Sequence, residues 1–404
     1  MVDFPCIEFR LHNQMLKILA LTLVLSTIGA ISSEMYIPSM PYITTWFKTS
    51  DTIIQYSFTA YMIGSVVPAL FFGALADIYG RKKIILIALT IGLIGTIGCL
   101  FSTSAWIFIF CRFIQGFGFS STNGLGRALL RDHYDGEQFA KYSSYLSMAF
   151  AFSVDITPFF GGVLQKYFNW HAIFVFLTLF NLISIYVAYK FPFKDAAENN
   201  GFKWKEMFVN YYKITQNKPF MRYNFIAAFM YSIFICYLSM ASFLWETRLG
   251  VSPETFGLLT LMLSLFYVCS CYLNSILVKF GVGKILKLGL CVVLVAGLSL
   301  LLMDFLSLNK VTFFIAMAMV FAGSGLVFAN SSSMGMSSVN VNFSSASAFY
   351  SFSSIVAAAL FSLLISQFNA TSVLPLAITV IILSSMALII HLGHETILQV
   401  NYVK

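Results

Sequence analysis

Charged side chains are scarce in this chain of 404 residues: Asp, Glu, Lys and Arg make up 10%, whereas 59% of the residues are hydrophobic. A soluble globular protein carries about 25% charged residues. This shortage excludes a water-exposed surface over most of the chain, so a lipid bilayer must act as its solvent. The net charge of +8 comes from short basic groups between apolar runs, which indicates membrane-protein loops and no nucleic-acid partner.

Cysteine pairs for disulfides and complete ligand sets for metals are missing as well. The seven cysteines form no CxxC pair, and their odd number predicts no disulfide framework. We interpret them as small hydrophobic residues, at positions 6, 99, 111, 236, 269, 271 and 291. Nothing near His391 and His394 completes a ligand set, so we expect no metal and no cofactor.

Signals for catalysis, ATP hydrolysis and secretion are also missing. No catalytic cluster gathers at one membrane face, and no phosphate-binding loop is present, so we expect neither an enzyme nor an ATP-driven pump. The first apolar run is too long for a secretory signal and has no small-residue cleavage site. We therefore expect it to be a retained first span.

Apolar runs long enough to cross a bilayer dominate the chain. They predict an all-α integral membrane protein with twelve spans, at 16–42, 52–75, 84–102, 105–127, 139–163, 169–191, 223–245, 254–277, 285–304, 311–333, 345–367 and 373–392. With the N-terminus inside, most of the 24 basic residues fall in cytoplasmic segments. This asymmetry predicts that both termini are cytoplasmic.

One long polar connection divides the spans into two sets of six. It predicts an N-terminal half at 1–190, a cytoplasmic linker at 191–222 and a C-terminal half at 223–404. Within the linker, "WKEMFVNYYKI" fits either an amphipathic helix on the membrane surface or a solvated segment. The halves resemble a diverged repeat, since "GALADIYGRKK" in the first corresponds to "NSILVKFGVGK" in the second.

The loop motif "GALADIYGRKK" resembles the signature of the major facilitator superfamily at every defined position. The matching residues are Gly73, Leu75, Ala76, Asp77, Gly80, Arg81, Lys82 and Lys83. The resemblance implies the fold of that superfamily, with twelve transmembrane helices in two six-helix halves. It also implies a gate at the cytoplasmic face, although the basic residues alone could serve only to set topology.

Two further motifs resemble those of drug:proton antiporters in this superfamily. "RFIQGFG" supplies Arg112, Gln115 and Gly116, and "DITPFFGG" supplies Pro158, Gly161 and Gly162. "EMYIPSMP", "RALLRDHYDGEQFAK" and "GVSPETFG" are similar to segments of the Bcr/CflA subfamily of exporters. The resemblance covers nearly the whole chain and is closer in the first half.

Glu34 is the only formally charged residue between Lys17 and Lys48. A carboxyl group in the bilayer is costly and therefore suggests function, here the binding and release of protons. The alternative is a structural acid near the outer end of span one. Arg112 lies at a depth where Glu34 is its nearest anion, so we predict that they pair; alternatively, Arg112 binds backbone carbonyls or an anionic substrate.

Asp155 departs from the family pattern, which has an apolar residue there. It suggests a second proton site or a contact for a polar or cationic substrate; a hydrogen bond to a neighbouring helix explains it equally well. Polar groups at membrane depth need partners or a watery cavity. On this ground we name candidate cavity residues: Gln115, Asn224, Tyr231, Tyr267 and Asn330.

The combined prediction is a proton-coupled antiporter that exports small organic molecules by alternating access, in the manner of multidrug efflux. A dedicated exporter of a polar metabolite, such as a siderophore, stays open as an alternative, and a nutrient symporter is a weaker one. We expect a bacterial inner-membrane protein that functions as a monomer. Its partners would be the substrate, protons and lipid.

Overall fold

A computed structural model describes residues 4–191, 204–306, 309–339 and 343–402, and these residues form helices and turns with no strand. Fifteen α-helices are defined: α1 Phe4–Glu34, α2 Met40–Trp46, α3 Asp51–Tyr79, α4 Arg81–Leu100, α5 Ala105–Phe119, α6 Thr122–Arg131, α7 Gly136–Tyr167, α8 Trp170–Lys190, α9 Trp204–Gln216, α10 Lys218–Ser242, α11 Pro253–Leu277, α12 Val282–Leu306, α13 Lys310–Ser337, α14 Phe343–Ile365 and α15 Leu374–Tyr402. A 3₁₀ turn at Ile37–Ser39 precedes α2, and a π-helix at Phe243–Arg248 extends α10.

Eleven of the segments the structure describes are long and apolar enough to cross a membrane. The remaining predicted span, 105–127, is divided between α5 and α6, because the helix is interrupted at Ser120–Ser121. Counted together, these two helices complete the twelve predicted spans. The segment 204–216 forms α9, which is the helical alternative for the linker.

Several helices begin differently at the two faces of the bundle. We call the face where α4 begins with Arg81 the basic face and the other the opposite face. At the opposite face, short polar side chains accept a hydrogen bond from the third backbone N–H of the following helix, as Ser50, Ser104, Asn169, Ser252 and Asn309 do. Helix α10 is an exception, because Asn217 caps it in this way at the basic face.

At the basic face, glycines make the corresponding turns in both halves. Gly80 precedes α4 with φ of 90°, and Gly281 precedes α12 with φ of 109°. A side chain is strained at such angles. The two glycines occupy equivalent positions of the repeated loop segment, so the structure repeats the turn as well as the sequence.

The buried core joins the halves at one face only. Near the opposite face, one hydrophobic cluster combines Tyr36, Phe58 and Phe108 with Tyr237 and Trp245 of the second half. Toward the basic face, separate clusters occur in the first half, around Leu25 and Leu89, and in the second half, around Phe220 and Ala346. The bundle is therefore closed at the opposite face.

Candidate proton and substrate site

Glu34 lies where the first membrane span is interrupted. Helix α1 ends at this residue, and Pro38 and Pro41 follow in the 3₁₀ turn and in α2. Proline has no N–H to donate and therefore favours the interruption of a helix. The Glu34 side chain is only 7% exposed, and no ion pair of its carboxylate is found among the described residues.

Arg112 of α5 is fully buried beside this interruption. Its guanidinium donates to the carbonyl oxygens of Ser32 at 2.8 Å and Ser33 at 3.4 Å. It also lies over two aromatic rings, 4.1 Å from the centroid of Tyr36 and 4.5 Å from that of Tyr61. Since the last carbonyls of a helix have no partner within it, Arg112 stabilises the end of α1.

The predicted ion pair between Arg112 and Glu34 is wrong for this conformation. The guanidinium instead donates to the carbonyls just before Glu34, in agreement with the alternative that Arg112 binds backbone carbonyls. The amide of Gln115 accepts from Arg112 and donates to Thr96 at 2.9 Å. Both ends of the Gln115 amide are therefore used within the first half, and its place in the cavity stays a prediction.

Asp155 approaches Glu34 from a second helix. It lies on α7 twelve residues before Tyr167, which puts it roughly 18 Å from the end of that helix. Its carboxyl group is within electrostatic range of Glu34 and close enough to Ser264 of α11 to interact with it, while the Ser264 hydroxyl donates to the Thr260 carbonyl at 3.1 Å. The structure thus brings both intramembrane acids together, and Asp155 contacts the other half of the protein.

Tyrosines of both halves surround the two acids. Tyr61 and Tyr231 are within electrostatic range of Glu34, and Tyr267 is within range of Asp155. The two predicted tyrosines, Tyr231 and Tyr267, are thus each within electrostatic range of one of these acids. Tyr61 was not predicted, because aromatic residues are too frequent in this sequence for any one of them to stand out.

The two predicted asparagines form hydrogen bonds within the second half. Asn224 accepts from Ser353 at 2.9 Å, while its side-chain nitrogen is buried and finds no partner in the described ranges. Asn330 donates to Asn274 at 2.6 Å and to the Leu326 carbonyl at 2.8 Å. Asn224 thus keeps a free donor, whereas both N–H groups of Asn330 are used.

The loop motif forms a charged group at the basic face. Arg81 pairs with Asp77 at 3.1 Å and, through two nitrogens, with Asp132 after α6. Lys82 lies 5.5 Å from the Tyr189 ring and Lys83 lies 5.6 Å from the Tyr79 ring. A Cβ atom at Gly73 would meet nothing within 4 Å, so in this conformation that glycine is not needed for close packing.

The glycines of the antiporter-like motif permit backbone contact on two sides of α7. A Cβ atom at Gly161 would overlap the carbonyl oxygen of Met35 in the first half. One at Gly162 would overlap the carbonyl oxygen of Pro253, at the start of α11 in the second half. Pro158 is buried within the same stretch of α7. Gly162 therefore lies where the two halves touch.

Polar contacts also join the halves, three of them from α3 and one from α7. Gln55 donates to the Ser239 carbonyl at 3.1 Å, and Thr59 and Ser362 share a hydrogen bond of 2.8 Å. Tyr56 bonds to Gln367, and Lys166 forms an ion pair with Glu254. We call these four contacts, together with Gly162 and Pro253, the opposite-face interface.

Comparisons with known proteins place this geometry in context. Residues 22–362 match the family model described as Major Facilitator Superfamily. A bicyclomycin resistance protein homolog of Haemophilus influenzae is 28% identical over 272 residues, which cover 67% of this chain and 68% of that protein. A chloramphenicol resistance protein of Pseudomonas aeruginosa is 24% identical over 292 residues, covering 72% and 69%.

Among solved structures, the crystal structure of a D-xylose-proton symporter has the same fold. The superposition gives a TM-score of 0.72, covers 92% of this chain and 97% of that one, and pairs residues that are 14% identical. At this identity the likeness concerns the fold alone. The predicted fold of two six-helix halves is confirmed.

Proposed function

Because the chain belongs to the major facilitator superfamily, we propose that it exports small organic molecules in exchange for protons, by alternating access. The relatives whose names refer to bicyclomycin and chloramphenicol resistance support efflux of toxic compounds over export of one dedicated metabolite. Their bacterial origin supports placement in the inner membrane. The basic face would be cytoplasmic, in accordance with the positive-inside rule.

The observation that carries the proposal is the pair of acids at the centre of the bundle. Glu34 is buried without a cation, and Asp155 lies within electrostatic range of it. Two neighbouring carboxyl groups in such a setting are not readily ionised together. One proton held between them is released when water or a cationic substrate replaces it.

Asp155 connects this proton to the movement of the halves. Its polar interaction with Ser264 crosses from α7 to α11. A carboxyl group that gains or loses a proton changes the hydrogen bonds it can make. Protonation at the central site therefore alters a contact between the halves, which is the coupling that antiport requires.

Arg112 has a positioning role in this scheme. It holds the carbonyls of Ser32 and Ser33 and thereby fixes the backbone immediately before Glu34. The arginine determines where the acid stands without neutralising it.

The test is Glu34→Gln, which keeps the shape of the side chain but cannot ionise. In inverted membrane vesicles that maintain a pH gradient, we expect proton-driven uptake of chloramphenicol or bicyclomycin to fall at least about tenfold, since a coupled carboxyl has no substitute. Exchange of labelled against unlabelled compound without a gradient should persist. Glu137→Gln, the same change at an exposed position, is the matched control and should leave uptake unchanged.

Full gradient-driven uptake in Glu34→Gln vesicles would exclude Glu34 as the proton carrier. If Asp155→Asn then lost the gradient response while Glu34→Gln kept it, the carrier would be Asp155. If neither compound moved in wild-type vesicles, the proposed substrate class would be wrong.

A further inference from the structure

A third acid, Glu246, lies at the opposite-face interface and has no place in the proposed cycle. Both of its carboxylate oxygens are buried and have no hydrogen-bond partner within the part of the chain that the structure describes. None of the ion pairs defined there includes it. Burying an ionised carboxylate without a partner costs several kcal/mol, far more than burying the neutral acid.

The local backbone is unusual at this position. Glu246 belongs to the π-helix at Phe243–Arg248, where the chain departs from the regular helix of α10. π-helical turns are rare and occur frequently at functional sites. The π-helix contacts α2 of the first half, and Tyr42 of α2 lies within electrostatic range of Glu246.

Among the described residues, no charge on the elements packed against the π-helix pairs with Glu246. On α2 the titratable neighbour is Tyr42, which is 43% exposed. On α10 it is Tyr237, whose hydroxyl accepts from Trp245 at 3.1 Å. On α11 Glu254 is engaged with Lys166, and Arg248, two residues further along the π-helix, is exposed.

We propose that Glu246 is a proton-binding site that controls the opposite-face interface: the neutral acid is buried when this interface is closed, and the ionised acid requires it to open to water. A proton taken up from the opposite face would thus favour closure of that face. The proposal rests on the alternating access of the proposed function, but not on proton coupling at Glu34.

The experiment measures the distance between the halves as a function of pH. Spin labels at Thr103 and Lys310, which are exposed at the opposite face in different halves, report its opening in a cysteine-free background of the full chain in lipid nanodiscs. If one proton controls closure, the ratio of closed to open molecules should fall by up to about tenfold for each unit by which the pH rises through the titration. Glu246→Gln, which mimics the neutral acid, should stay closed from pH 5 to pH 9.

Two further variants complete the test. Glu254→Gln changes a partly exposed carboxyl at the same interface and should keep the pH response, whereas Glu246→Asp should retain a response with a displaced midpoint. The measurement is repeated in Glu34→Gln, where the response should persist because Glu246 is intact.

Each other outcome contradicts a stated part of the scheme. A pH response in Glu246→Gln equal to that of the wild type would overturn the role of Glu246 and leave the proposed function intact. A response lost in Glu34→Gln instead would assign the pH sensitivity to the central acids. A single distance in the wild type at all pH values, with and without chloramphenicol, would contradict both this proposal and alternating access.

Discussion

The two faces of the bundle hold their helices together by different physical means. At the opposite face, the halves touch through backbone atoms at Gly162 and Pro253 and through mostly neutral hydrogen bonds. At the basic face, the charged contacts that the structure defines for Arg81 lie within the first half, where they join the loop after α3 to the loop after α6.

The contacts at the opposite face thus close the protein there, whereas the charge pairs of Arg81 stabilise the first half internally. Contacts between backbone atoms depend on shape and are lost when the surfaces part by a fraction of an ångström. Charge pairs act over a longer range and tolerate movement, but salt weakens them. We therefore expect transport to be sensitive to volume at the opposite face and to ionic strength at the basic face.

The largest expected effect is that of Gly162→Ala. The added methyl group overlaps the Pro253 carbonyl oxygen across the halves, so the opposite face cannot close fully. Overpacking costs about 1–3 kcal/mol, so we expect a loss of transport of about tenfold or more in vesicle uptake assays. The protein should still fold, because the clash arises only when the halves meet.

The matched control for this change is Gly124→Ala on α6, where a Cβ atom meets open space. It should transport like the wild type. Equal activity of Gly162→Ala and Gly124→Ala would show that close backbone contact at the opposite face is not required, and the contrast between the faces would be lost.

An intermediate effect is expected from Arg81→Gln. The change removes the partner of Asp77 and Asp132 while keeping a polar side chain. Partly exposed pairs contribute about 0–1 kcal/mol, so transport should fall by up to about fivefold. The deficit should shrink at high salt, since salt weakens the wild-type pairs as well.

Arg131→Gln, at an exposed arginine near the same face, serves as the control and should change little. A deficit in Arg81→Gln that does not vary between low and high salt would argue that the residue acts through shape and not through charge.

The smallest effect is expected from Lys166→Gln, which removes the charged contact of the opposite-face interface. Both members of the pair are partly exposed, with 42% of the Lys166 side chain and 33% of the Glu254 side chain accessible. Exposed pairs stabilise weakly, so transport should change by about twofold at most. A loss as large as that of Gly162→Ala would show that charge closes this face too.

The sequence predicted the helical spans well because apolar length is a direct signal of a bilayer. It missed the interruption at Ser120–Ser121, which lies inside the predicted span 105–127. It also named Gly162 only as part of a motif and gave no sign of its contact with Pro253. A close approach between distant segments leaves no mark in the local sequence.

The central site was predicted in part for similar reasons. Glu34 and Asp155 stand out as charges within apolar runs, and the structure brings them together. The sequence alone could not decide the partner of Arg112. The Ser33 carbonyl and the Glu34 carboxyl belong to neighbouring residues, and the conformation of the Arg112 side chain determines which of them it contacts. Glu246 did not stand out because it directly follows the predicted span 223–245, and Arg248 two residues later makes this stretch resemble the polar end of a span.

The modest strength of the opposite-face contacts has a consequence for how molecules are distributed between conformations. A neutral hydrogen bond contributes only about 1 kcal/mol net, and an exposed ion pair less. Such contacts alone would leave the closed and open arrangements close in free energy, and the hydrophobic cluster shared by the halves adds to closure. A ligand redistributes the ensemble only as far as its affinities for the two arrangements differ, so the proposed cycle needs a ligand whose preference for one arrangement exceeds the stability of that closure.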